Sequence, residues 1–125
     1  MGGVGCSGAR MSRLITLEPW QVWWCGFDPQ VGTEQAGRRP AIVVGTSLEC
    51  SLPNRLALVV PCTSTNRNAP WQPPVVLAGR AGYAMCDQIK AVSTDRLVSR
   101  HAAGSVTQAE RMVIQFALRQ LVDVG

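Results

Sequence analysis

Two adjacent arginines, Arg38 and Arg39, stand immediately before Pro40 and the apolar run Ala41-Ile42-Val43-Val44. A guanidinium does not lose its proton in ordinary surroundings, and its planar fork matches the oxygens of a phosphate. At the lip of a buried strand such a group is costly unless an anion comes to meet it. Two further polar pairs end or interrupt apolar runs: Thr63-Ser64 after "LALVVPC", and Asp87-Gln88 inside "AMCDQIKAV". A threonine hydroxyl beside Arg39 can share the oxygens of one phosphate, with the arginine stabilising charge as it develops. The set suits phosphoryl transfer in which the substrate brings its own nucleophile, as RNA does through its 2′-hydroxyl.

Other chemistries lack their residues. One histidine, His101, rules out two-histidine acid–base catalysis within a chain, and no Walker or Rossmann glycine pattern is present. The five cysteines, Cys6, Cys25, Cys50, Cys62 and Cys86, cannot all pair, and none forms a C-x-x-C. With a single histidine they make no usual zinc set. Cys25, Cys62 and Cys86 fall in strand-like runs, where buried free thiols are ordinary. A reduced, cytoplasmic chain without metal or other cofactor is the expectation.

Each polar residue also has a plain structural reading. Arg39 can be a solvated loop charge, Thr63 and Ser64 a turn cap, and Asp87 a charge guarding a strand edge. Trp71 in "NAPWQPP" suits a base-stacking platform, or more simply a satellite core under a loop. His101 reads most simply as a surface residue in the link to the last helix.

The 125 residues fit one domain, and 46% apolar content allows a core. No apolar run approaches the roughly 18 residues of a membrane span. The start, "MGGVGCSGAR", lacks the apolar stretch of a secretory signal, and residues 1–13 read as a loose tail before one domain over residues 14–125. Net charge is +4, and eleven arginines stand against one lysine, Lys90. That balance permits a nucleic-acid or acidic-peptide partner without demanding one.

The elements that must position the polar pairs are short. "WQVWWCGF", Trp20 to Phe27, reads as an aromatic strand, and a loop runs from Asp28 to Arg39. "PAIVVGTS" is a second strand, Leu56 to Ser64 a third, "VVLAG" a fourth, and Ala84 to Val92 a fifth with one wet face. "STDRL" is a turn. In "TQAERMVIQFALRQLV", Thr107 and Glu110 form a capping box. Val113, Ala117 and Leu121 make one apolar stripe, with Ile114, Leu118 and Val122 beside it. The expected fold is mainly β with α: a small, strongly bent barrel with a C-terminal helix packed on it.

In order, the blocks "WQVWWCGFDPQVGTEQAGRRPAIVV", "LVVPCTS", "DQIKAVSTDRL" and the final helical segment resemble the MazF/PemK family of toxin endoribonucleases, from about Glu18 to Asp123. The core of the likeness is D-P, then G-x-E-Q-x-G-x-R-P, then T-S and D-Q-I-K at the right spacing. The resemblance implies an SH3-like barrel, usually a homodimer, that cuts single-stranded RNA without metal. It also implies 2′,3′-cyclic phosphate and 5′-hydroxyl ends, and silencing by a cognate acidic antitoxin. It assigns catalysis to Arg39, Thr63 and Asp87, and RNA contact to Thr33, Glu34, Gln35, Arg38, Ser64 and Gln88. The chain departs from some members at Thr33, where they carry histidine, and at Met85, where they carry arginine. Two other readings are a barrel that keeps the fold and antitoxin groove without cleaving, and a toxin aimed at a topoisomerase. Retention of Arg39 and Thr63 in their full motifs favours the enzyme.

Overall fold

A computed structural model describes residues 16–27 and 37–123. The expected tail, residues 1–13, and Thr33, Glu34 and Gln35 lie outside the described residues. In chain order the elements are β1 (Gln21–Gly26), β2 (Arg38–Val43), a short helix α1 (Ser47–Ser51) and β3 (Leu56–Thr63). There follow β4 (Pro74–Leu77), β5 (Arg80–Ala84), a 3-10 turn (Cys86–Gln88), β6 (Lys90–Ser93) and a second 3-10 turn (Thr94–Arg96). β7 (Leu97–Ser105) and α2 (Gln108–Leu121) complete the chain.

All seven strands among the described residues join one curled antiparallel sheet in the order β4-β5-β3-β2-β1-β7, with β6 also on β3. β3 is the hub. One edge pairs with β2 through Val59, Val60 and Pro61. The other edge is shared: β6 takes Leu56 to Val59, and β5 takes Cys62 and Thr63. Pro61 falls at the seam between them, where its missing N–H removes no needed rung. Its carbonyl still accepts from Met85 N at 2.9 Å. β4 turns into β5 through Ala78 and Gly79 at φ 52° and 82°. Two consecutive left-handed residues make the tight hairpin that matches strand twist.

Alternation of side chains puts a core on each face of the sheet. Val22, Ile42, Val60, Cys62 and Ala84 face α2 and pack with its Ile114 and Ala117. Trp23, Cys25, Ala41, Val43, Ala57 and Val59 form the second cluster with Leu97. The sheet is therefore apolar on both sides over its middle, and polar groups gather at its ends.

Several expectations need correction. β2 starts at Arg38, so both arginines are in the ladder and not in the loop. The run Ala84 to Val92 is not one strand: β5 ends at Ala84, and the 3-10 turn intervenes before β6. The break lets the chain change position along the edge of β3. β5 and β7 were not anticipated, because "RAGYA" and "LVSRHAAGS" carry too few apolar residues to show a period of two. His101 is not on the surface. It is buried in β7, 4.8 Å ring to ring from Trp24, and its Nδ1 accepts from Ala103 N at 3.0 Å. Burial holds its pKa below the ordinary histidine value. Trp71 is 44% exposed. On α2 the inward residues are Ile114 and Ala117, whereas Val113 and Leu121 are half exposed.

The expected capping box is present, and it does more than end a helix. Thr107 Oγ1 accepts from Glu110 N at 3.1 Å, while Glu110 Oε1 accepts from Thr107 N at 3.0 Å. The second oxygen, Oε2, accepts from Val76 N of edge strand β4 at 2.7 Å. Glu110 thus pins the helix start to the sheet edge. Glu110→Ala is expected to lower stability by about 1–3 kcal/mol, from loss of the cap and a charge-assisted bond. Urea unfolding monitored by tryptophan fluorescence measures it, and a change below about 0.5 kcal/mol would contradict the assignment.

Candidate active site

Two runs of paired residues lie at the polar end of the sheet. Leu97 of β7 stands opposite Cys25 of β1, and Cys25 stands opposite Arg39 of β2. Ala41 is opposite Pro61, and that antiparallel register continued by two residues sets Arg39 across from Thr63. Thr63 pairs in turn with Tyr83 of β5, and Tyr83 with Pro74 of β4. Arg39 shares strand parity with Ala41 and Val43, and Thr63 with Ala57 and Val59, so both leave the same face as the second cluster. Directly opposed side chains start about 5 Å apart at their Cβ atoms.

Local bonding leaves both groups ready for a ligand. Thr63 Oγ1 accepts from Thr65 N at 3.1 Å, which fixes the hydroxyl oxygen and leaves its proton to be donated. Among the described residues, no carboxylate pairs with the guanidinium of Arg39 or Arg38. Arg39 is half buried and Arg38 exposed. Gly82 lies against Thr63, where a Cβ would come within 3.0 Å of the Thr63 carbonyl oxygen. Glycine at that position permits the close approach of β5 to the end of β3.

Two further cations close on the end of β1. Arg96 donates to Gly26 O at 3.2 Å, and Lys90 Nζ lies 5.1 Å above the Phe27 ring. With Arg38 and Arg39 they make this end of the sheet electropositive, the field that gathers a polyanion. In the sequence, nothing about Lys90 and Arg96 themselves announces this role. Their convergence depends on β6 and β7 returning to β1, which no local pattern announces. Tyr83, the chain's one tyrosine, was also missed because β5 was.

Asp87 and Gln88 are exposed on the 3-10 turn that follows β5. The Asp87 carboxylate is not joined to Arg39; its Oδ1 accepts from Gln72 Nε2 at 2.9 Å. Ser64 follows Thr63 and is exposed. Thus the register directs Arg39 and Thr63 to the same end and face of the sheet, with Arg38 and Ser64 next to them in the chain and Asp87 with Gln88 on the adjoining turn. Thr33, Glu34 and Gln35 lie outside the described residues.

A buried thiol neighbours each of the three expected catalytic residues: Cys25 across from Arg39, Cys62 before Thr63 and Cys86 before Asp87. Burial pushes Cys25 up to about 11, with Arg96 and Lys90 pulling the other way. Cys62 is pushed up to about 12 by burial, with Cys86 and Glu110 adding to it and Arg39 opposing. Cys86 is likewise pushed up to about 12, by burial and then by Asp87. All three stay neutral thiols near pH 7, so they pack and do not attack. Among the described residues, no three His, Cys, Asp or Glu side chains gather as metal ligands. No described helix is long and apolar enough to cross a membrane.

Known proteins place this chain in a family. The family model for the PemK-like, MazF-like toxin of type II toxin–antitoxin systems matches residues 18–122. The "Endoribonuclease toxin MazF" of Escherichia coli strain K12 is 35% identical over 101 residues, covering 79% of this chain and 87% of that protein. "Endoribonuclease MazF9" of Mycobacterium tuberculosis is 30% identical over 114 residues, covering 83% and 94%. Among solved structures, a MazE–MazF crystal form from Deinococcus radiodurans superposes with a TM-score of 0.70 at 22% identity, covering 89% of this chain and 99% of that one. An endoribonuclease in complex with its cognate antitoxin, from a mycobacterial species, superposes with a TM-score of 0.69 at 23% identity, covering 87% and 97%. The chain belongs to the PemK-like, MazF-like toxin family of type II toxin–antitoxin systems.

Proposed function

We propose that this chain is a toxin that cuts single-stranded RNA, using the RNA 2′-hydroxyl as nucleophile and no metal. What carries the reading is the β2–β3 register, which directs Arg39 and Thr63 to the same electropositive end and face of the sheet. The 2′-oxygen loses its proton and bonds to phosphorus as the bond to the 5′-oxygen breaks, and that oxygen gains a proton. The products are a 2′,3′-cyclic phosphate and a 5′-hydroxyl. Arg39 holds the non-bridging oxygens and stabilises their growing charge, and the Thr63 hydroxyl donates to the same group. Asp87 contributes the site's carboxylate. Arg38, Ser64 and Gln88, with Thr33, Glu34 and Gln35, contact the RNA. Names of the relatives support the activity, since those quoted above are endoribonucleases.

Arg39→Ala is expected to slow cutting of a long single-stranded RNA by about 100- to 1000-fold, the range for removal of one charge-stabilising donor. Excess EDTA leaves the wild-type rate unchanged. End analysis after gel mapping reads the products. Cuts of equal strength from the variant, or loss of cutting in EDTA, contradict the reading.

The partner is an acidic antitoxin segment that lies over the cationic end and excludes RNA, a reading supported by the solved toxin–antitoxin complexes among the relatives. A second copy of the chain covers the outward face of α2. Met112, Val113 and Phe116 there are 58%, 48% and 64% exposed, a patch apolar enough to mark an interface. Phe116→Glu is expected to convert a dimer to a monomer in sedimentation velocity with cutting RNA-dependent on the dimer. A monomeric wild type, or a variant that stays dimeric, removes this face from the interface.

A further inference from the structure

Gln72 is a buried polar side chain that the proposed reaction does not use. It lies in the loop between β3 and β4, two residues before Pro74, and is 5% exposed. Its backbone N–H closes a turn onto Ala69 O at 2.9 Å. Its side-chain Nε2 donates to Asp87 Oδ1 at 2.9 Å, and its Oε1 is buried without a partner. The carboxylate fixes the amide's orientation, since exchanging oxygen and nitrogen would set two acceptors against each other.

An unpaired buried acceptor is destabilising, and an apolar side chain of the same length would avoid it. The surroundings are suited to one, because Val75, Met85 and Cys86 beside this loop and turn are almost fully buried. The chain keeps a buried amide here, and the partner of that amide is an exposed carboxylate on the adjoining turn. A buried group that makes one bond to an exposed charge, while leaving its own oxygen unsatisfied, serves the placement of that charge better than it serves stability.

We propose that Gln72 is a positioning residue for Asp87: it holds Oδ1 from the buried side and leaves Oδ2 to the RNA. This rests on the cleavage reading above and on Asp87 taking part in it. Gln72 touches no substrate, and acts through Asp87 alone.

Gln72→Met, which keeps length and removes both donor and unpaired acceptor, tests it. The expected result is a melting temperature equal to or above wild type together with single-turnover cleavage about 10- to 100-fold slower, the usual scale for a lost orienting partner. In an Asp87→Ala background the same substitution is expected to slow cleavage no further. Should Gln72→Met fail to fold, Gln72→Asn retracts the amide by one methylene and is read in the same cycle. Wild-type cleavage by the variant, or a loss repeated in full on top of Asp87→Ala, overturns the proposal. If Asp87→Ala cuts at the wild-type rate while Arg39→Ala does not, the proposal falls and the Arg39–Thr63 reading stands. If wild type cuts no RNA, both fall together.

Discussion

The site depends on the antiparallel register between β2 and its two neighbours. Because β2 begins at Arg38, the Arg39 backbone is held opposite Cys25 on one side, and the β2–β3 register, which pairs Ala41 with Pro61, directs it toward Thr63 on the other. A slip of one residue would turn Arg39 to the other face of the sheet and drive Ala41 and Val43 out of their core. The apolar packing of the second cluster therefore sets the direction of the arginine. The register thus sets the face from which the guanidinium leaves the sheet.

β3 carries the other half of the arrangement. It changes partners along one edge, with β6 below and β5 above, and its proline lies at the change. The chain must cross between those two positions, and the 3-10 turn Cys86–Gln88 is the crossing. Asp87 is brought near the end of β3 by that crossing, not by any strand of its own. Burial of Cys86 on one side of the turn and exposure of Asp87 on the other fix which side chain faces solvent.

Much of this was legible in the residues. The aromatic first strand, the apolar runs of β2 and β3 and the Thr107–Glu110 box each declare themselves by period or by spacing. The polar pairs at 38–39, 63–64 and 87–88 stood out as charges and hydroxyls placed against apolar runs. What stayed hidden was non-local. β7 is read as a link because seven of its nine residues are small or polar, and only pairing with β1 makes it a strand. His101 looked superficial for the same reason. Gln72 had no signal at all, since its burial arises from a loop folding over the turn that carries Asp87. Arg39 was assigned to a loop because proline at position 40 suggested a strand start, whereas pairing with Gly26 and Cys25 extends the strand two residues earlier.

The central claim is that Arg39 and Thr63 act on one phosphate as a unit. A double-mutant cycle on single-turnover RNA cleavage, with Arg39→Ala, Thr63→Ala and the pair, measures it directly. The account predicts strong non-additivity, with the double variant little slower than the worse single variant. Full multiplication of the two losses would mean that the residues act independently, and would contradict it.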